Sequence, residues 1–147
     1  MLKLATAIAG LLVLVSACRA EEASSAESNE PNIGDVMSFQ QERHFKLWFA
    51  GRAGNWPLAD YEIGKLKDGF DDIDKMLGGE TVQKAVGAPI SAIEKAIESK
   101  DKDSFVRAFD QLTAGCNSCH RTLDHAFVVI QRPTVSPFGN QSFAPQK

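Results

Sequence analysis

Residues 105–123 read FVRAFDQLTAGCNSCHRTL, and the architecture of the chain follows from the pattern in this stretch. Six apolar positions recur at spacings of 4, 3, 4, 3 and 4 residues, which is the repeat of one buried helix face. They are Phe105, Phe109, Leu112, Cys116, Cys119 and Leu123. The sequence therefore predicts a long amphipathic helix that runs to about residue 126, with Asp103 or Ser104 as its N-cap.

A second stripe with the same spacings precedes it. It consists of Ala59, Ile63, Leu66, Phe70, Ile73 and Leu77. Pro57 suits the first turn of this helix, and Gly78 suits the position just after its end. The stripe predicts a helix that is well packed on one face.

The two remaining helical patterns are less regular. Because Gly87 and Pro89 interrupt the chain, we expect a short helix to begin at Pro89 and residues 81–86 to form either a separate turn or a short helix of their own. The first helix, at about residues 35–50, is apolar on many sides, which indicates that something large is buried against it.

Four helices with short connections predict an all-α, up-down four-helix bundle over residues 35–127. Residues 127–130 either end the last helix or lead extended into the tail. Residues 128–147 contain Pro133, Pro137 and Pro145 and show no periodicity, so an extended, irregular C-terminal tail is expected.

The amino-terminal sequence predicts export. In residues 1–17 the early Lys3 is followed by an apolar run and then by small residues, as in a signal peptide. The run is shorter than the roughly 20 residues that a transmembrane helix needs. Residues 15–18, VSAC, resemble the bacterial lipobox, so Cys18 is the predicted lipid anchor on the periplasmic side of a membrane; the alternative is an ordinary signal peptide. Residues 18–34 are polar and predict a flexible tether.

The composition excludes some classes of protein. With 44% hydrophobic and 24% charged residues and a formal net charge of -3, the chain is ordinary for a globular domain. A nucleic-acid partner is not expected, because there is no basic run or basic stripe.

The segment from Cys116 to His120, CNSCH, carries the chemistry of the sequence. The thiols of Cys116 and Cys119 can add across the two vinyl groups of a heme, while His120 offers an imidazole nitrogen to the iron. A redox dithiol would follow a strand, and a zinc site would need a second ligand pair; the sequence offers neither. Because all three residues share the apolar helix face, one covalently bound heme c is predicted inside the bundle.

The last helix resembles that of the class II c-type cytochromes, the cytochrome c-prime family of four-helix bundles. The resemblance lies in residues 105–109, FVRAF, followed by CNSCH near the carboxyl end, and it extends over residues 35–127. Two features depart from the family. Asp124 replaces a basic residue, and the family's Arg-x-x-x-Met is met only by Arg43 with Leu47.

The second axial ligand of the iron has two candidates on the first helix. The stripe that faces the predicted heme consists of Met37, Gln41, His44 and Trp48. His44 is favoured as the distal ligand, because a histidine in a strongly apolar helix needs a partner; Met37 is the alternative. The third possibility is an open iron face.

These alternatives predict different functions. A six-coordinate iron predicts a membrane-tethered carrier of single electrons between exported redox partner proteins, which is not an enzyme. An open face predicts a protein that binds nitric oxide or carbon monoxide, as the resemblance to cytochrome c-prime implies. A peroxidase-like enzyme would additionally need Gln41 or His44 as a free polar group above the iron.

Overall fold

The computed structural model describes residues 31–146, which form four helices joined by short turns. The helices are α1 (Ile33–Ala53), α2 (Trp56–Leu77), α3 (Thr81–Glu98) and α4 (Lys102–Thr122). No strand occurs in this part of the chain, so the predicted all-helical, four-helix fold is confirmed. The predicted signal peptide, the predicted anchor at Cys18 and most of the tether lie outside the described residues.

Local capping signals set the ends of α1 and α2. The Asn32 side chain accepts from the Asp35 N–H, and the Asp35 carboxylate accepts from the Asn32 N–H, which makes a capping box. α1 therefore begins inside the segment predicted as tether. Gly54 and Gly78 end the two helices with φ of 76° and 70°, a left-handed conformation that glycine adopts without strain.

The prediction of a short helix from Pro89 is wrong. α3 is a single helix from Thr81, with Pro89 inside it. Its start is stabilised from a distance, because the Asp74 carboxylate accepts from the backbone N–H groups of Val82 (2.8 Å) and Gln83 (2.9 Å). These two donors would otherwise be unpaired at the helix start, and a carboxylate also interacts favourably with that end of the helix dipole.

The predicted limits of α4 also need correction. Its N-cap is Asp101, whose carboxylate accepts from the N–H groups of Asp103 and Ser104, rather than either of those two residues. The helix ends at Thr122, and residues 127–130 are not helical. Asp124 lies in the left-handed region with φ of 60°, which turns the chain away from the helix axis.

Pro89 and a glycine together allow α3 and α4 to pack closely. Pro89 has no N–H to donate to the Ala85 carbonyl, which is thus deprived of its usual helical partner. This carbonyl lies against Gly115 of α4, where an added Cβ would be 2.6 Å from the oxygen. The two helices therefore approach closely one residue before Cys116.

An aromatic cluster joins α1 to α4 at one end of the bundle. The Trp48 and Phe109 rings have centroids 4.9 Å apart, and Phe105 and Phe109 are fully buried. The Phe105 ring lies directly against Gly51. Taken as whole helices, α1 and α4 pack less extensively against each other than α1 does against α2 or α3 does against α4.

The contact between Gly51 and Phe105 gives the first testable prediction. A Cβ at position 51 would lie 2.2 to 2.6 Å from three ring atoms of a side chain that has no room to move. Gly51→Ala should therefore lower the free energy of unfolding by about 1–3 kcal/mol, the usual effect of overpacking. Urea denaturation at neutral pH measures it.

Gly64 of α2 is the matched control. It also lies inside a helix, but an added Cβ there would meet nothing within 4 Å. Gly64→Ala should leave the free energy of unfolding unchanged or raise it by up to about 1 kcal/mol, through the helix preference of alanine. Equal effects of the two substitutions would contradict the proposed packing.

Candidate heme site

A cavity of about 220 Å³ lies among the helices near the start of α1 and the end of α4. All four helices and the chain after α4 contribute to its wall. The predicted site residues that line it are Cys116, Cys119, His120, Met37 and His44. The structure thus brings together every residue that the sequence analysis assigned to the heme and its axial ligands.

The remaining wall is mainly apolar. From α2, α3 and α4 it includes Leu66, Phe70, Val82, Val86 and Leu112, each of which is also part of the hydrophobic core. α1 adds Gln40, which is 6% exposed and whose amide donates to the Leu66 carbonyl at 2.7 Å. Gly69 makes room for this amide, since a Cβ there would lie 2.7 Å from the Gln40 Oε1. No motif or spacing in the sequence marks Gln40 as part of the site.

Neither cysteine at the cavity wall forms a disulfide, and neither thiol readily loses its proton to become a thiolate. Burial, with a smaller effect of neighbouring Cys119, raises the pKa of Cys116 to about 12. Burial and the charge of Asp74 also raise the pKa of Cys119. A reactive redox dithiol has a lowered pKa, so the surroundings of this pair favour a structural or cofactor-binding role.

His120 has a defined tautomer. Its Nδ1 lies 2.9 Å from the Val128 carbonyl oxygen, which can only accept, so Nδ1 carries the proton. In the neutral imidazole Nε2 then bears the lone pair, which is the state in which a histidine binds a metal. The role of Val128 could not be predicted from the sequence, because every residue carries a backbone carbonyl.

His44 is buried, with 4% of its surface exposed, and already has a partner in the protein. Its Nε2 lies 2.9 Å from the hydroxyl oxygen of Thr113, and that hydroxyl donates to the Phe109 carbonyl at 2.9 Å. A hydroxyl has one hydrogen, so it accepts from the Nε2–H of His44. The need of His44 for a partner, which favoured it as an iron ligand, is therefore met by Thr113.

Three contacts fix α1 and α4 in an antiparallel register. They are Gly51 with Phe105, Trp48 with Phe109, and His44 with Thr113. Seven residues, or two turns and about 10 Å, separate Met37 from His44 on α1 and His120 from Thr113 on α4. The same register therefore brings Met37 to the height of His120 and leaves His44 two turns away.

The positions that match the Arg-x-x-x-Met of class II cytochromes do not line the cavity. Arg43 donates to the Glu62 carboxylate at 3.0 Å, and Glu62 is 1% exposed. Leu47 is fully buried in the core. In this chain Arg43 therefore joins α1 to α2, and the methionine at the cavity is Met37.

The donors and the wall fit a covalently held heme. Two thiols one helical turn apart and an imidazole with a free Nε2 face the same apolar cavity. Within residues 31–146, no three His, Cys, Asp or Glu side chains are grouped so that they could hold a metal ion on their own.

None of the helices α1 to α4 has the length and apolar character that a membrane-spanning helix needs.

No protein-family model, curated protein or solved structure matches the chain. The likeness to class II cytochromes stays a prediction from residues 105–120.

The burial of His44 predicts a pH dependence of stability. Burial lowers the pKa of His44 from 6.5 to about 4, so the unfolded chain binds this proton more readily than the folded protein does. The buried, neutral His44 side chain therefore makes its full contribution to the free energy of unfolding above pH 6.5. This contribution is lost as the pH falls toward 4. Between pH 7 and 4.5 the loss amounts to about 2–3 kcal/mol, which His44→Gln should abolish.

Urea denaturation at the two pH values tests this expectation. His125→Gln is the control, since His125 is an exposed histidine, and this variant should keep the pH dependence of the parent. If His44→Gln loses as much stability on acidification as the parent does, the buried neutral state of His44 is disproved.

Proposed function

We propose that the chain is a mono-heme c-type cytochrome that carries single electrons between exported redox partner proteins. The observation that supports this most directly is that Cys116, Cys119 and His120 line one apolar cavity, with the Nδ1 of His120 already bonded to a carbonyl. The two cysteines would hold heme c through thioether bonds, and His120 would be the proximal iron ligand. The heme supplies an iron that gains or loses one electron.

Met37 is proposed as the second axial ligand in preference to His44. The helix register puts residue 37 at the height of residue 120, and Met37 lines the cavity, whereas the imidazole of His44 is held by Thr113 two turns away. Methionine ligation gives a higher reduction potential than ligation by a second histidine. The preference for His44 that the sequence suggested is therefore reversed in this proposal.

The apolar wall has its own part in this function. Side chains such as Leu66, Phe70 and Leu112 exclude water from around a bound heme and lower the local dielectric constant. A low dielectric constant disfavours the additional positive charge of the oxidised iron. The wall thus acts in the same direction as Met37, toward a higher reduction potential.

Export and anchoring complete the proposal. Residues 1–17 would direct the export of the chain, and Cys18 would carry the lipid that holds it on the periplasmic side of a bacterial membrane. Covalent heme attachment of the c type takes place on the same outer side. The three cysteines of the chain are then accounted for, with two for the heme and one for the lipid.

A second candidate function is the binding of nitric oxide or carbon monoxide. The hydrogen bond between His44 and Thr113 favours it in one respect, because it occupies the histidine that would otherwise close the distal side. If Met37 does not bind the iron, that side is open to a small gas molecule. The spin state of the iron distinguishes the two functions.

Intact mass spectrometry tests the attachment of the heme. After expression in a host that attaches c-type hemes, the protein should carry the mass of one heme that acid and acetone do not extract. The double variant Cys116→Ala/Cys119→Ala should lose all of it. Cys18→Ser is the control: it should keep the heme and lose only the acyl mass and the association with membranes. Extractable heme in the parent would contradict the proposal.

Absorption and electron-paramagnetic-resonance spectra test the axial ligand. The parent should be low-spin and should not bind carbon monoxide when reduced, whereas Met37→Ala should become high-spin and bind it. Met76→Ala is the matched control, because Met76 is 43% exposed and lies at the end of α2, away from the cavity wall. A change of spin state in His44→Ala with none in Met37→Ala would assign the ligand to His44. A high-spin parent that binds carbon monoxide would favour the second function.

A further inference from the structure

The chain after α4 turns back to the helix that it has just left. The His125 N–H donates to the His120 carbonyl at 2.7 Å, and the Val128 N–H donates to the His125 carbonyl at 2.9 Å. Asp124 makes the reversal possible by adopting a φ of 60°. As a result, the Val128 carbonyl meets the His120 ring, and residues 128–132, here termed the strap, lie along α4.

Asn117 fastens the strap next to the heme motif. Its Nδ2 donates to the Ile130 carbonyl at 2.9 Å, and its Oδ1 accepts from the Ile130 N–H at 2.8 Å. One side chain thus pairs with both backbone groups of a single residue. Val128 and Ile130 also line the cavity, so the strap forms part of its wall.

Arg132 fastens the far end of the strap. Its guanidinium forms a two-point ion pair with Asp110, in which Nε donates to Oδ1 at 2.9 Å and an Nη donates to Oδ2. The same group lies 4.9 Å above the Trp48 ring. Planar pairing with a carboxylate together with stacking on an aromatic ring is specific to arginine. The strap is thus held on both α4 and α1.

We propose that the strap is a positioning element for the proximal iron ligand, an inference that rests on the proposed function. By presenting the Val128 carbonyl to Nδ1–H, it fixes the tautomer of His120 and the rotation of its ring. A histidine that donates such a hydrogen bond is a more basic ligand at Nε2 and stabilises the oxidised iron. The strap therefore lowers the reduction potential, in opposition to Met37 and the apolar wall.

Asn117→Ala in the full-length, heme-loaded protein tests this role. The substitution removes the clamp on Ile130 and leaves both cysteines and His120 in place. We expect the reduction potential, measured by spectroelectrochemical titration, to rise. We also expect the Ile130 amide to exchange its hydrogen with solvent faster than in the parent.

Ser118→Ala is the matched control, since Ser118 is the other residue between the two cysteines and is exposed. It should change neither the potential nor the exchange of the Ile130 amide. A second variant ends at Phe127 and therefore lacks the Val128 carbonyl altogether. It also lacks the wall side chains of Val128 and Ile130, whose loss acts in the opposite direction, so we expect its potential to rise less than that of Asn117→Ala while it keeps its covalent heme.

The outcomes separate the two proposals. A parent without covalent heme would overturn the proposed function and, with it, the role of the strap. A heme-loaded parent whose potential is unchanged in both strap variants would overturn the role of the strap alone. If the shortened chain does not fold, as judged by circular dichroism, the comparison of Asn117→Ala with Ser118→Ala is decisive.

Discussion

The packing of the Phe105 ring against Gly51 is the constraint on which the rest of the structure depends. It sets the height of α1 relative to α4 at the aromatic end, and helices are stiff enough to carry that register to the other end. The relative heights of the α1 and α4 residues on the cavity wall follow from it. The cavity begins at His44 and extends to Met37 and His120, and buried apolar side chains from α2 and α3 complete its wall.

Polar groups in and near the cavity are matched to specific partners, which gives the site a single arrangement. His44 is bonded to Thr113, and Gln40 to the backbone of α2. The carboxylate of Glu62 is bonded to Arg43. Within residues 31–146 no fully buried side-chain nitrogen or oxygen is left without a partner. An unpaired group of this kind would cost about 1–3 kcal/mol, so these bonds exclude alternative packings more than they add to stability.

The regular parts of the fold could be predicted from the sequence, because α2 and α4 each bury one strict stripe. The CNSCH motif likewise predicted that Cys116, Cys119 and His120 would face one space inside the bundle. The start of α3 was predicted wrongly, because the local sequence shows only the helix breaker Pro89. The Asp74 carboxylate that stabilises this start comes from another helix. Thr113 and the Val128 carbonyl were missed for a related reason: their importance comes from what they face, and the sequence places Thr113 69 residues from His44.

The clamp between Asn117 and Ile130 has a consequence for the order of assembly. Val128 and Ile130 follow α4 in the chain, so the hydrogen bond between the His120 ring and the Val128 carbonyl closes only after all four helices have been made. The tail also reaches the start of α2, where the Asn55 side chain donates to the Ala144 carbonyl across 89 residues of sequence. Contacts of such separation form late, because the loops they close cost entropy. A chain that lacks this tail would therefore lose the contact that fixes the orientation of the His120 ring.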